Sequence, residues 1–267
     1  MSSSNSIGWC ALAVAVLMFA SWVLSIPLRN ASIVDIVWGL GFVTVGWTAW
    51  LIADDHGARS LALLIMVTVW GLRLAAYLAW RNHGKGEDFR YVAMRRSIGP
   101  QFWIVSLLTV FALQGLLLMT VSLPLSIGIP QSAVPLGPTS YLGLVLFAVG
   151  MFFETVGDAQ LARFKADPAN SGHVMDQGLW RYTRHPNYFG DFCVWWAMFA
   201  VVIGVDHWQW TVIGPIAMTV LLLRVSGVAL LEKSIGRRRP GYEAYVARTS
   251  AFIPRPPRRT VDQPDAP

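Results

Sequence analysis

The sequence predicts an all-α polytopic membrane protein, a bundle of seven transmembrane helices with a short interfacial helix near its C-terminal end. Of its 267 residues, 55% are hydrophobic and only 13% are charged, and the mean hydropathy is +0.49. This composition excludes a water-soluble globule. The charged residues are missing from long apolar stretches, which also excludes a disordered chain or a nucleic-acid-binding protein despite the net charge of +6.

Seven apolar stretches approach the roughly 20 residues that a helix needs to cross a bilayer core of about 30 Å. Because lipid offers backbone amides no hydrogen-bonding partner, each stretch is predicted to be a helix rather than a barrel strand. The predicted spans are Gly8–Ile26, Ile33–Ile52, Ser60–Trp80, Phe102–Ile127, Tyr141–Gly157, Tyr188–Val205 and Trp208–Leu231. We expect a single membrane domain over residues 1–254 and a disordered, basic, proline-rich tail over residues 255–267.

Basic residues orient this bundle. With these spans, 18 of the 21 lysines and arginines fall in connections and a tail on one side. The positive-inside rule makes that side cytoplasmic, so the C-terminus is predicted inside and the N-terminus outside. Two cysteines, Cys10 and Cys193, lie in apolar stretches, and the five histidines lack ligand spacing. Neither a disulfide framework nor a metal site is therefore expected.

Several polar side chains fall inside or at the ends of spans, where they are costly and by default functional. Six of these residues form three pairs, and the i, i+4 spacing within a pair places both side chains on one helix face. The pairs are Arg73 with Tyr77, Glu154 with Asp158, and Asn187 with Asp191. The alternative is that Arg73 and Arg224, the two arginines inside predicted spans, extend to the lipid headgroups and that the acidic residues pair with them.

Two predicted cytoplasmic segments, residues 80–91 and 178–191, are rich in cations, glycines and aromatic residues. Pro186 suits the first position of a helix. That helix would present free amides beside Arg184 and His185, a place for phosphate. Ordinary positive-inside charge with an interfacial aromatic belt explains the same residues equally well. Near the C-terminus, an amphipathic turn containing Tyr242 and Tyr245 is either a packing element or the lid of a site.

Residues 181–191, Arg-Tyr-Thr-Arg-His-Pro-Asn-Tyr-Phe-Gly-Asp, with the ending Tyr242-Glu243-x-Tyr245…Phe252-Ile253-Pro254, resemble the C-terminal domain of steroid 5-alpha-reductases. That part corresponds to residues 141–254. The whole chain more closely resembles the bacterial DUF1295 branch of this superfamily. Segments 34–39 and 70–74 extend the resemblance over most of residues 30–256.

The resemblance implies an NADPH-dependent membrane reductase of a carbon–carbon double bond conjugated to a ketone. Its substrate would be a lipophilic, steroid-like or isoprenoid-like molecule that enters from the bilayer. A bacterial inner membrane is the implied location, with no obligate protein partner and no nucleic acid. The cofactor-binding positions that it implies are Arg73, Arg81, Asn82, Lys85, Asp158 at the opening of the loop before span six, Tyr182, Arg184, His185, Asn187, Asp191, Glu232 and Tyr245.

The implied chemistry needs a donor that stabilises or protonates the carbonyl oxygen as negative charge develops. In steroid reductases this donor is a tyrosine three residues before the arginine, supported by a glutamate on an earlier helix. Here Trp70 takes the place of that tyrosine, and an indole donates a hydrogen bond but no acidic proton. Asp35, Trp70 and Tyr77 are the catalytic candidates.

Two other functions remain open. Membrane methyltransferases of the isoprenylcysteine and phospholipid type carry a similar Arg-His-Pro-x-Tyr-x-Gly and bind S-adenosylmethionine, and residues 184–190 fit that pattern. Those enzymes typically place two adjacent glutamates after the final span, whereas Glu232 is followed by Lys233. Asn187, Asp191 and the loop around Asn82 favour the reductase. The third hypothesis is a non-catalytic protein that binds lipid or scaffolds a partner.

Overall fold

A computed structural model describes residues 3–131, 133–225 and 241–258. Within these residues the regular structure is helical, apart from one isolated parallel bridge between Thr183 and Ser250. The predicted all-α class is confirmed for this part of the chain.

Twelve described α-helices follow one another along the chain, joined in places by short 3-10 and π segments. The α-helices are α1 Ser3–Leu28, α2 Ile33–Leu51, α3 Ala58–Asn82, α4 Phe89–Ile98, α5 Phe102–Ser106, α6 Leu113–Val121, α7 Leu123–Gly128, α8 Pro138–Ala166, α9 Pro186–Val202, α10 Trp208–Thr211, α11 Ile213–Val220 and α12 Tyr242–Arg248. The 3-10 segments are Gly99–Gln101, Pro168–Asn170 and Gly178–Arg181, and the π segments are Leu107–Ala112 and Leu221–Val225.

Among the described residues, five helical stretches are long and apolar enough to cross a membrane: Asn5–Leu28, Ile33–Leu51, Ala58–Asn82, Phe89–Val121 and Pro138–Ala166. A membrane helical bundle is therefore supported. Seven crossings stay a prediction, because α9 has 17 residues and the last apolar stretch continues into residues that are not described.

The fourth predicted span differs most from the structure. It was expected as one helix, but a turn at Ser122 separates α6 from α7. It is also preceded by α4, in a region where a loop was expected. The 33 residues of Phe89–Val121 would extend about 50 Å, well beyond the hydrocarbon layer. Since α4 carries three arginines, this end of the stretch lies outside the hydrocarbon.

The chain divides into two compact units, described here separately. Unit 1 falls within residues 1–141 and 198–214, and unit 2 within residues 142–197 and 215–267. The expected tail begins at residue 255, but the amides of Arg255 and Arg258 donate to the carbonyls of Tyr182 and Arg248. These two bonds connect the beginning of residues 255–267 to unit 2, and disorder of the tail stays a prediction.

In each unit, one close helix crossing is formed by a pair of facing glycines. In unit 1, a Cβ added to Gly39 of α2 would lie 2.6 Å from the carbonyl oxygen of Gly71 in α3. In unit 2, a Cβ added to Gly150 of α8 would lie 2.7 Å from the carbonyl oxygen of Gly190 in α9. Small residues allow such close backbone approach in membrane bundles. Both crossings lie next to residues that the sequence assigns to the site.

Arg59, near the start of α3, is the buried polar anchor of unit 1. It is only 2% exposed. Its guanidinium donates to the carbonyls of Val201 at 2.6 Å, Ile203 at 2.8 Å and Pro135 at 2.6 Å. A further bond from Nε reaches Val134 at 3.2 Å. Arg59 therefore satisfies carbonyls at the C-terminal end of α9, which the helix itself leaves without donors.

Replacing Arg59 by lysine or methionine should destabilise the protein, because neither side chain can donate to four carbonyls arranged around a planar fork. The expected loss is about 3 kcal/mol or more for methionine, since buried acceptors are left without donors. Thermal unfolding of the detergent-solubilised protein measures it. R96K, at an exposed arginine of α4, is the matched control. A wild-type midpoint for R59K would contradict the anchoring role.

Glu87 ties the connection between α3 and α4 to the beginning of α2. Its carboxylate accepts from the amide of Ala31 at 2.7 Å and from both Nε and Nη2 of Arg95, at 2.9 and 2.8 Å. The Glu87 side chain is 8% exposed. Burial acts to raise the pKa of Glu87, but the bonds from Arg95 and Ala31 outweigh it, so the pKa lies below its ordinary value of 4.5.

A carboxyl group whose pKa is lower in the folded than in the unfolded protein stabilises the fold at pH values above its unfolded-state pKa. This contribution is lost as the pH falls through the folded-state pKa. Wild-type thermal stability should therefore decrease as the pH falls below about 4.5, the ordinary glutamate value. E87Q should start lower at neutral pH and lose less over the same window. Midpoints recorded between neutral and acidic pH test this, and parallel curves for the two proteins would show that Glu87 is not responsible.

Candidate functional site

The polar face at the end of α3 is a ladder of three side chains, Arg73, Tyr77 and Arg81, spaced four residues apart. The Arg73 guanidinium lies 5.5 Å from the centre of the Tyr77 ring, and that of Arg81 lies 5.8 Å from it. Both distances are within the range of cation–π attraction. Arg73 and Tyr77 are half-buried, whereas Arg81 is exposed. The ladder concentrates two guanidinium groups around one ring.

The residues that follow the ladder are half-buried or exposed. Arg81 Nε donates to the Asn82 side-chain oxygen at 3.3 Å. Asn82 is half-buried and ends α3, and Lys85 beyond it is exposed. The structure thus brings Arg73, Tyr77, Arg81 and Asn82 onto one end of one helix, and their cofactor role stays a prediction.

Asp35, a catalytic candidate, lies in a polar network rather than alone. Its Oδ2 accepts from Arg90 Nη2 at 2.7 Å, and its Oδ1 accepts from the Tyr91 hydroxyl at 2.8 Å. Gln114 Nε2 donates to the same hydroxyl at 3.2 Å. Tyr91 is buried and 6% exposed. The network joins α2, α4 and α6 within unit 1.

Trp70, the other candidate near the ladder, is fully buried. Its ring packs at a steep angle against Phe42, with centroids 5.4 Å apart, one residue before the Gly71 crossing. The Trp70 indole therefore packs between α2 and α3. Its catalytic role stays a prediction.

In unit 2, a second polar cluster forms where α8 packs against the first turn of α9. Asn187 Nδ2 donates to Asp158 Oδ1 at 3.1 Å. Asp158 is 5% exposed, and Glu154, one turn earlier, is 3% exposed. A Cβ added to Gly157 would lie 3.2 Å from the Asn187 amide nitrogen. The sequence placed Asp158 at the opening of a loop, which is wrong, since α8 continues for two further turns.

Two amides at or just before the start of α9 donate to side-chain oxygens, whereas the sequence predicts free amides there. The amide of His185 donates to Thr183 Oγ1 at 3.3 Å, and that of Tyr188 donates to Asn187 Oδ1 at 3.1 Å. These local bonds cap the helix, as side-chain oxygens commonly do. These two amides are therefore already bonded, and a phosphate site beside Arg184 and His185 stays a prediction.

Arg184 and His185 are also placed differently from a solvent-facing phosphate site. Both are buried, at 8% and 4% exposed. Arg184 Nη1 donates to the carbonyls of Thr249 at 2.7 Å and Val246 at 3.2 Å. The His185 ring stacks on Tyr188, with centroids 5.5 Å apart and planes at 6°.

Among the remaining unit 2 positions, Tyr182 is 45% exposed and Asp191 is half-buried, next to the Gly190 crossing. Tyr245 is buried, and its hydroxyl donates to the carbonyl of Trp180 at 2.5 Å. Burial raises the pKa of Tyr245, so the hydroxyl stays protonated as a donor. Glu232 lies outside the described residues.

Sequence reasoning missed Tyr91, Arg90 and Gln114 as partners of Asp35. One signal could have revealed α4: Asp88 is followed by ten residues and then by Gly99 and Pro100. In the structure Asp88 caps α4 by accepting from the Arg90 amide at 3.0 Å, and Gly99 ends the helix with a φ of +73°. Aspartate before a helix and glycine after it are typical boundary residues.

Comparison with known proteins gives two matches of different extent. A stretch of 62 residues is 37% identical to the protein named "Probable O-methyltransferase ustE" of Ustilaginoidea virens, covering 23% of this chain and 22% of that protein. The matched stretch thus spans less than a quarter of that relative. No solved structure matches. A family described as "Protein of unknown function (DUF1295)" matches residues 21–249, most of the chain, and the chain therefore belongs to the DUF1295 family.

Proposed function

We propose that this protein is a membrane-embedded reductase that uses NADPH to reduce a conjugated carbon–carbon double bond in a lipophilic enone. The observation that carries the proposal is the ladder of Arg73, Tyr77 and Arg81 at the end of α3. Membership of the DUF1295 family, which resembles steroid 5-alpha-reductases, supports the same reaction class.

The ladder fits the charge of NADPH. The cofactor is a polyanion, and guanidinium groups form strong charge-assisted bonds with phosphate oxygens. Arg81 is exposed and Arg73 half-buried, so the ladder runs from solvent into the apolar part of α3. We assign the phosphate contacts to this ladder and to Lys85, in preference to the first turn of α9, whose amides at His185 and Tyr188 are already bonded.

The cluster of Asp158 and Asn187 supplies a different kind of contact. Carboxylate and amide oxygens accept hydrogen bonds from hydroxyl and carboxamide groups. These groups occur on the ribose and nicotinamide portions of NADPH. Within unit 2 taken by itself, we propose the Asp158–Asn187 cluster as a binding site for hydroxyl or carboxamide groups.

Bound NADPH would supply a hydride for the β carbon of the enone, and the protein must then supply a proton to the substrate. The Tyr91 hydroxyl, held between Asp35 Oδ1 and Gln114 Nε2, is a buried acid–base group suited to hold that proton. Arg90 pairs with the Asp35 carboxylate and compensates its charge. Asp35 is thus retained as a catalytic candidate, acting with Tyr91.

A methyltransferase that uses S-adenosylmethionine is the second candidate, and one observation favours it. The relative that shares 37% identity over 62 residues is named a probable O-methyltransferase. Residues 184–190 also fit the Arg-His-Pro-x-Tyr-x-Gly pattern of membrane methyltransferases.

Titration of the detergent-purified protein with NADPH and, separately, with S-adenosylmethionine tests the proposal. A ligand that binds only the folded state raises apparent thermal stability. We expect a rise with NADPH that R81Q reduces by weakening affinity about tenfold, or ~1.4 kcal/mol, whereas R96Q at an exposed arginine of α4 leaves it unchanged. A rise with S-adenosylmethionine alone would establish the methyltransferase instead. No rise with either ligand would favour a non-catalytic lipid-binding protein.

Substituting Tyr91 by phenylalanine should reduce turnover while leaving NADPH affinity nearly unchanged, because the variant removes only the hydroxyl. Loss of a general acid typically costs about 10²–10⁴-fold in rate. NADPH oxidation in the presence of a 3-keto-4-ene steroid measures kcat and KM. Y141F, at an exposed tyrosine of α8, is the control. Wild-type kcat for Y91F would assign the network to structure alone.

A further inference from the structure

The described end of the chain, residues 241–258, is bonded along its length to the loop of residues 178–185, here called the motif loop. The amide of Arg184 donates to the carbonyl of Ser250 at 2.9 Å, and that of Arg255 donates to the carbonyl of Tyr182 at 3.0 Å. Thr183 Oγ1 donates to the carbonyl of Phe252 at 2.8 Å. The C-terminal segment therefore forms one folded body with the motif loop, inside unit 2.

Aromatic packing extends this body to α9. The ring of Phe252 makes edge contacts with Phe189, at 6.1 Å between centroids, and with Phe192, at 5.5 Å. Arg248 forms an ion pair with Asp176. A displacement of the C-terminal segment would thus disturb the first turns of α9, which carry Asn187.

Arg184 lies at the centre of these contacts. Its guanidinium donates to Thr249 and Val246, whose carbonyls lie at the end of α12, where the short helix leaves acceptors unfilled. Arginine near a helix C-terminus is also favoured by the dipole of the helix. An arginine buried in this way is directed at the main chain of its own protein.

We infer that Arg184 is a positioning residue: it locks the C-terminal segment onto the motif loop and so fixes His185 and Asn187, and it does not pair with a cofactor anion. Its chemistry matches the role, since a planar guanidinium can donate to two carbonyls at once and an ammonium bonds them less well. The cofactor part of this inference rests on the proposed function, whereas the locking part does not.

Hydrogen exchange measured by mass spectrometry tests the lock without any ligand. Peptides covering residues 249–256 should exchange about tenfold faster in R184Q than in wild type, because a segment released from Arg184 no longer holds the Arg255 amide on the Tyr182 carbonyl. R184K should be intermediate, since lysine keeps part of the donation. R181Q, at an exposed arginine of the motif loop, should match wild type. Unchanged exchange in R184Q would overturn the inference.

Affinity for NADPH and NADH, measured well below the unfolding temperature, tests whether Arg184 pairs with a cofactor anion. A positioning role predicts that R184Q weakens both cofactors by the same factor and that R184K restores part of the loss for both. Selective loss of NADPH affinity would make Arg184 a ligand of the 2′-phosphate. Equal loss of NADPH and NADH affinity with unchanged hydrogen exchange would make Arg184 a ligand of the diphosphate. Either result would overturn the inference. If neither cofactor binds, the proposed function fails while the exchange experiment still decides the locking role.

Discussion

Burial of charged and polar groups away from water is the constraint on which this structure depends. Arg59 in unit 1 and Arg184 in unit 2 meet it in the same way. Each guanidinium donates to main-chain carbonyls at or just beyond the end of a helix, α9 for Arg59 and α12 for Arg184. The peptide groups there carry partial negative charge and lack intrahelical donors. An arginine in such a position caps the C-terminal end of a helix and donates to the protein's own main chain.

Close helix approach is the second consequence of the same constraint. Helices in lipid gain little from burying apolar side chains against one another, so packing and backbone proximity count for more. The crossings at Gly39 with Gly71 and at Gly150 with Gly190 bring carbonyls and backbones to contact distances that exclude a Cβ. Arg73 follows the first crossing by two residues, and Asp191 follows the second by one. The rigid part of each unit thus supports the residues assigned to chemistry.

The sequence predicted the helical class and the residues that group at the end of α3, because apolar length and i, i+4 spacing are local properties. It did not predict which arginines are buried. Arg81 and Arg184 both occur in cation-rich segments beside aromatic residues, and only tertiary contacts show that one is exposed and the other is bonded to residues more than sixty positions later. The partner of Asp35 was missed for a related reason, since α4 is too polar to stand out in an apolar pattern.

Ligand charge offers the most direct physical distinction between the two enzymatic candidates. S-adenosylmethionine carries a sulfonium and an ammonium cation and offers the two ladder arginines, eight residues apart on α3, one carboxylate and no phosphate. NADPH carries phosphates that those arginines attract, and the attraction is stronger where apolar surroundings lower the local dielectric. Glu154 and Asp158 favour different ligand groups, because a buried carboxylate tolerates a cation or a hydroxyl far better than a phosphate. Hydroxyl groups such as those of a ribose suit these carboxylates of unit 2, and both cofactors carry a ribose, so the distinction between them rests on the arginines of unit 1.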